Sequence, residues 1–312
     1  MDLPALSQQD DTLHLYVSGY GANAAWRGGL VERSRNGEWV QEVTFNFRET
    51  FGVLVEELPT ATAGLDLVNS VLVTMSDDNI STITQADFDA GGNLCSINDE
   101  LVQFKTVVAE GDDYRISYLK RGCLHTTPAT HAIADTLVNL TQPTKIPMVK
   151  ADIGQAITFR VHSNNTIAVV ADEVVVNYVG NSQIEWYPIN ATMELISGDW
   201  LIDWAHNKRI GAPGEAIISD NFLDYYVLFD NGVTTKGIYT TAESLTYTEA
   251  EQIVDFGAAV GSWTSVKIYG NNNFTGLGEE ATVVSIAGDK LLFEDGSGYL
   301  MFEDDSGVLL LE

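Results

Sequence analysis

Helical periodicity is nearly absent from this chain, whereas short runs of β-branched and aromatic residues bounded by Gly, Asn and Asp recur from end to end. Segments of that kind bury an apolar face only by pairing with one another, so the pattern predicts an antiparallel all-β protein. Strand candidates cover 13–17, 39–47, 70–75, 101–108, 114–119, 156–161, 173–178, 200–205, 225–229, 244–247 and 265–269. The stretch 101–119 reads as one hairpin, with Glu110-Gly111-Asp112-Asp113 supplying the turn. That register sets Cys123 opposite Glu100 and not opposite Cys95, which favours two free thiols over a disulfide. One short helix is expected over 249–255, with Thr248 as its N-cap.

A chain of 312 residues with 45% hydrophobic and 10% aromatic content can fill more than one core. The proline-bearing stretch 141–150 and the neighbourhood of Pro188 read as boundaries. They divide the sequence into a β region at 1–148, a β connector at 149–188, a sandwich at 189–286 and a C-terminal meander at 287–312. The meander is a repeat: Leu291-Leu-Phe-Glu-Asp-Gly-Ser-Gly-Tyr299 is echoed by Leu300-Met-Phe-Glu-Asp-Asp-Ser-Gly-Val308. With tight turns, Leu291, Phe293, Leu300, Phe302, Leu309 and Leu311 share one face. A sheet this small is marginal alone. Either another subunit covers it or it packs on its own preceding domain. We expect the former, as the oligomerisation element of a homotrimer.

Lys and Arg total 16 against 44 Asp and Glu, a formal net charge of −28, which excludes nucleic acid and anionic membrane as natural partners. No apolar run approaches the roughly 20 residues that span a bilayer, so membrane insertion is not expected. The acidic opening MDLPALSQQDD does not read as a secretion leader. By that reading the Asn-x-Ser/Thr sequons at Asn79, Asn139, Asn164, Asn190 and Asn273 are chance. His14, His125, His131, His162 and His206 lack metal-ligand spacing, and neither a nucleophile elbow, a phosphate loop nor a dinucleotide fingerprint occurs. The turns Ser76-Asp77-Asp78-Asn79 and Asp295-Gly296-Ser297 fall short of a Ca²⁺ loop. The expectation is a protein without catalysis, cofactor or metal.

Two stretches resemble a known family. Asp89-Ala-Gly-Gly-Asn-Leu-Cys-Ser-Ile-Asn-Asp-Glu-Leu-Val-Gln-Phe104 is followed by Tyr114-Arg-Ile-Ser-Tyr-Leu-Lys-Arg-Gly122, His131 and Leu137-Val-Asn-Leu140. This series resembles the C-terminal region of phage tail-tip hub proteins, the host-specificity or central tail fibre proteins, and the related hub of gene transfer agents. The likeness keeps its order through Leu15-Tyr-Val-Ser-Gly-Tyr-Gly21, Trp26-Arg-Gly-Gly-Leu30, Trp204-Ala-His-Asn-Lys-Arg-Ile-Gly211 and the stretch from Ser244 to Gly257. It departs at Arg121-Gly-Cys-Leu-His-Thr126, where the family has a more basic corner. Against the upstream ring-forming domains usual in the family, the expectation is either a split gene or a separate accessory tip protein.

The resemblance implies a structural protein of the virion, at the distal phage tail tip. Its partners would be other tail-tip proteins and a host cell-surface receptor. Residues 189–286 separately resemble a fibronectin type III-like sandwich, with Trp200, Trp204 and Tyr225–Phe229 as core. Within it, Asn272, Asn273 and Phe274 form a candidate binding loop, because a Phe in a polar loop has no strand of its own to bury it. The alternative to a tail component is a free-standing carbohydrate- or protein-binding adhesin module. A depolymerising tail enzyme is the least supported reading.

Overall fold

The structure, a computed structural model, describes residues 1–19, 26, 28–45, 50–76, 79–140, 143–163, 172–209 and 217–285. The described fold is all-β, and its contacts divide it into two units. The first comprises the described residues of Met1–Trp186, Lys208–Phe222 and Asn271–Gly278. The second comprises Tyr187–Asn207, Leu223–Gly270 and the described residues from Glu279 onward.

The first unit is built around a closed barrel of six strands: β4 (Phe51–Leu54), β5 (Gly64–Met75), β8 (Asp113–Arg121), β7 (Glu100–Glu110), β6 (Leu94–Ile97) and β9 (Thr136–Asn139), in that order. Strand β9 pairs with both β4 and β6, so no strand edge of the barrel is left open. Leu54, Val71, Val73, Cys95, Ile97, Val102, Phe104, Ile116, Leu119 and Leu137 fill the interior. Their alternation, as at Val71/Val73, Cys95/Ile97 and Val102/Phe104, is the period-2 signal of the sequence. The hairpin β7–β8 turns at Gly111, whose φ of +69° suits glycine, and pairs Glu110 with Asp113 and Phe104 with Leu119, the register expected from the sequence. Between β5 and β6 the short helix α1 (Gln85–Asp89) is capped reciprocally by Thr84 and Asp87.

A second core lies beside the barrel in the same unit. Strand β1 (His14–Val17) pairs with β10 (Thr144–Pro147), and a four-stranded sheet runs in the order β12 (Glu173–Tyr178), β11 (Gln155–Ser163), β2 (Gly29–Arg35), β3 (Glu38–Phe45). Leu13, Leu15, Val31, Ile146, Ile157, Phe159 and Tyr178 pack together there. Residues 149–188 are therefore not a free connector up to the unit boundary at Trp186. β11 pairs Val161 with Val31, and Asp152 takes a two-pronged ion pair from Arg33. Within the proline-bearing stretch, Thr144–Pro147 forms strand β10 inside this unit.

The second unit holds two four-stranded sheets. One runs β17 (Ser244–Tyr247), β14 (Asp199–Ala205), β13 (Ile189–Ile196), β20 (Val284–Ser285). The other runs β16 (Thr235–Thr240), β15 (Phe222–Asp230), β18 (Ser265–Asn272), β19 (Gly276–Thr282). The chain passes from β13 and β14 in one sheet to β15 and β16 in the other, back to β17, on to β18 and β19 and back to β20, as in a fibronectin type III-like sandwich, and the expected core residues Trp200, Trp204, Tyr225 and Phe229 are buried. Helix α2 (Glu249–Phe256) starts at the Thr248/Glu251 capping box and stops at Gly257, close to the expected span. The meander residues Leu291, Phe293, Leu300, Phe302, Leu309 and Leu311 lie outside the described residues.

Cys95 and Cys123 are free and buried; Cys95 Sγ donates to Val102 O at 3.1 Å and Cys123 Sγ to Lys120 O at 3.3 Å. Burial raises both thiols, that of Cys123 to about 11. Reaction with Ellman's reagent at pH 8 should therefore find no thiol in the folded protein and both after addition of guanidinium chloride. Rapid modification of either cysteine under native conditions would contradict this packing.

Candidate functional site

The most tightly built polar site among the described residues sits at one end of the barrel. Arg121 closes β8, Glu100 opens β7, and His131 forms an isolated bridge with Leu58. All three side chains are buried, Arg121 completely. A guanidinium taken out of water must find acceptors for its N–H groups or cost several kcal/mol, on the order of a lost buried ion pair. Arg121 finds them: Nε donates to Glu100 Oε1 at 2.7 Å and Nη2 to Glu100 Oε2 at 2.8 Å. Nη1 donates to Pro59 O at 2.8 Å, and Nη2 also reaches Ala129 O at 2.6 Å. The fork geometry suits Arg and not Lys.

Glu100 is shared further. Its Oε1 accepts the Gly122 N–H at 3.0 Å, and its Oε2 accepts the Ala129 N–H at 2.9 Å. His131 Nε2 lies 2.8 Å from the same Oε2, a contact that requires the proton on Nε2. Burial by itself would raise the Glu100 carboxyl, but the bonds from His131, Arg121 and the Ala129 backbone overcome it and bring the pKa down to about 2. The geometry binds strand ends and loops to one another.

The site also shapes a surface. Asp66 Oδ2 lies 3.8 Å from Arg121 Nη1. Its Oδ1 accepts Val68 N at 3.1 Å and Asn69 N at 3.0 Å, and its Oδ2 accepts Asn69 Nδ2 at 2.9 Å. Here β5 slips against β8: Asp66 faces Leu119 and Ser70 faces Ser117, so three residues on β5 oppose Tyr118 alone. Tyr118 accommodates the bulge with φ of +56°. The bulge turns two apolar side chains outward, Leu67 at 62% and Val68 at 91% exposure. Beside them Leu65 is exposed too.

The loop singled out from the sequence is placed differently from the expectation. Asn272 is buried and its Nδ2 donates to Glu185 Oε1 at 2.7 Å, while its Oδ1 accepts Phe274 N at 2.9 Å. Phe274 is half-buried against the core of Leu13, Leu15, Ile157 and Phe159. Asn273 remains exposed, with its carbonyl held by Lys150 Nζ. The exposed ring from which binding was inferred is thus an anchor, because strands distant in sequence supply the apolar surface that the loop itself lacks. The same unit contains a buried network that local sequence does not announce: Arg209 Nη1 donates to Ser182 O at 2.7 Å and its Nε lies 3.2 Å from Glu185 Oε2. Arg209 belongs to a family-like stretch, which was its only signal.

The sequence model of the family described as Rcc01698-like, C-terminal matches residues 49–138, the span of the barrel from β4 into β9 and of the whole Arg121 site. Among solved structures, the chicken CNTN1 FN1–FN3 domains are similar at 8% identity, over 88% of this chain and 98% of that one, with a TM-score of 0.23. That score is too low to superpose the two chains as one architecture. No curated protein matches the chain in sequence.

Replacing Glu100 by Gln should destabilise the barrel by about 3 kcal/mol or more, because it leaves a buried guanidinium without its anion. Denaturant titration of both proteins measures this. The lowered pKa also fixes a pH dependence: the ionised network stabilises the fold above the ordinary carboxyl value of 4.5, and that contribution is lost as the pH falls towards about 2. E100Q should flatten the stability profile over that window; an unchanged acid limb would count against the network.

Proposed function

We propose that the chain is a structural protein of a distal phage tail, a tail-tip hub or central-fibre component that joins neighbouring tail proteins and takes part in host attachment. The observation that carries this reading is the coincidence of two boundaries. The family match runs from β4 into β9, and the hub-like motifs at 89–104, 114–122, 131 and 137–140 fall on the strands and connections of the same barrel. Glu100, Arg121 and His131, which carry much of that likeness, hold the barrel end together. A barrel end fixed in this way suits a scaffold.

The contact surface for a neighbouring tail protein is the bulge at Leu67 and Val68. Apolar side chains this exposed, on a backbone fixed by Asp66, suit burial in a partner. No helix among the described residues is long and apolar enough to cross a membrane. The subunits associate as a trimer through the apolar face of Leu291, Phe293, Leu300, Phe302, Leu309 and Leu311.

Antibodies raised against the chain should label the distal end of purified tails, and label confined to the capsid or missing from particles would refute the assignment. Light scattering should report a trimer for the full chain and a monomer without residues 287–312; a monomer in both forms would remove the trimer from the reading. A Leu67→Asp/Val68→Asp variant should keep its unfolding midpoint, since exposed positions contribute within about 0.5 kcal/mol, yet lose incorporation into tails. Normal incorporation would clear the bulge of any assembly role.

A further inference from the structure

Strand β15 carries aromatic residues on both faces. Tyr225, Val227 and Phe229 point into the sandwich core, which leaves Tyr226 and Leu228 on the outward face of the sheet β16-β15-β18-β19. Tyr226 pairs with Tyr239 of β16, their ring centroids 4.7 Å apart, and the Tyr226 and Tyr269 centroids are 6.3 Å apart. Three tyrosines on three adjacent strands thus form a row across the sheet. The row continues on β19, where Glu280 Oε2 accepts the Tyr269 hydroxyl at 2.7 Å and pairs with Lys267 Nζ at 3.0 Å.

The ring of Tyr226 lies flat against the backbone at Gly237. A Cβ at Gly237 would fall 2.1 Å from the Tyr226 hydroxyl oxygen and 2.4 Å from two ring carbons, so any other residue would lift the ring off the sheet. Packing does not account for the row as a whole, because Tyr239 leaves 59% of its surface in water.

We propose that this outward face is a binding platform for a neutral saccharide chain. A pyranose presents a C–H face that can lie on a tyrosine ring and hydroxyl edges that can meet polar groups around it. Here those groups are the tyrosine hydroxyls, Lys267 and Glu280. The Lys267–Glu280 pair is locally neutral, while the chain as a whole carries −28, so a charged acidic glycan would be repelled and a neutral one would not. A protein partner fits less well: three tyrosines, two of them partly covered, offer far less than the roughly 1,000 Å² that a stable protein interface buries. The platform lies in the sandwich unit and the tail-assembly reading rests on the barrel, so either can fail without the other.

Affinity electrophoresis of the full chain in native gels containing galactomannan, dextran or hydroxyethylcellulose tests the proposal. Retardation by at least one of these polymers is expected. Tyr239→Ala should weaken it about fivefold or more while leaving mobility in plain gels and the thermal midpoint unchanged. Tyr269→Phe, which removes one hydroxyl and keeps the ring, should weaken it less. Three outcomes overturn the proposal: no retardation by any of the polymers, retardation untouched by Tyr239→Ala, or a Tyr239-dependent interaction found only with a tail protein.

Discussion

A fully buried arginine is the constraint on which the barrel turns. The Arg121 guanidinium has no water to hydrogen-bond, so the chain around it must supply acceptors in a plane and at fixed distances. Glu100 supplies two, and the carbonyls of Pro59 and Ala129 supply the others. Those acceptors come from the start of β7 and from two loops that are far apart in sequence. Sliding β7 against β8 by one residue would take Glu100 away from the fork as well as turning Phe104 out of the core, so polar and apolar demands specify the same register. A buried pair of this kind adds little net stability compared with hydrophobic residues of the same size. Its contribution here is to make alternatives costly.

From that fixed end the exposed bulge follows. Against the cost of its burial, Asp66 is held ionised by hydrogen bonds from Asn69 and Val68 and by the neighbouring Arg121, and through those N–H groups it organises Val68 and Asn69. Two apolar side chains are thereby displayed on backbone that is tied to the barrel core, not on a loop free to collapse over them. The entropy of ordering such a surface is met when the protein folds and does not have to be met again on association.

Most of the strands were legible because each has to satisfy a local rule: alternate side chains, a turn residue where the chain reverses, a cap where a helix starts. The hairpin from Glu100 to Arg121 and the helix opened by Thr248 illustrate both the rule and its success. What local rules do not specify is which distant segment covers which. Phe274 was read as exposed because its own neighbours are polar, yet residues more than a hundred positions earlier, such as Leu13, Leu15 and Ile157, cover part of it. Residues 149–188 were read as a connector because prolines precede them, yet β11 completes a sheet begun by β2. The tyrosine row was invisible for the same reason: Tyr226, Tyr239 and Tyr269 become neighbours only through pairing, and Gly237 gives no hint in sequence that a ring will lie on it.

The charge imbalance acquires a sharper meaning once the cations are located. Arg33, Arg115, Arg121, Arg160 and Arg209 are all engaged by carboxylates of the same chain. Five of the 16 cationic side chains are thus already matched to carboxylates within the fold, while the chain as a whole keeps its excess of acidic groups. Copies of such a chain repel one another over a Debye length, about 8 Å at physiological salt. Self-association under the proposed reading would draw on short-range apolar contact, since like-charged surfaces do not attract one another. The apolar bulge on the barrel and the Leu- and Phe-rich repeat at the C-terminus are features of that kind. A fold that uses its cations to fix strand register gives up charge as a means of recognition and leaves that task to apolar and neutral surfaces.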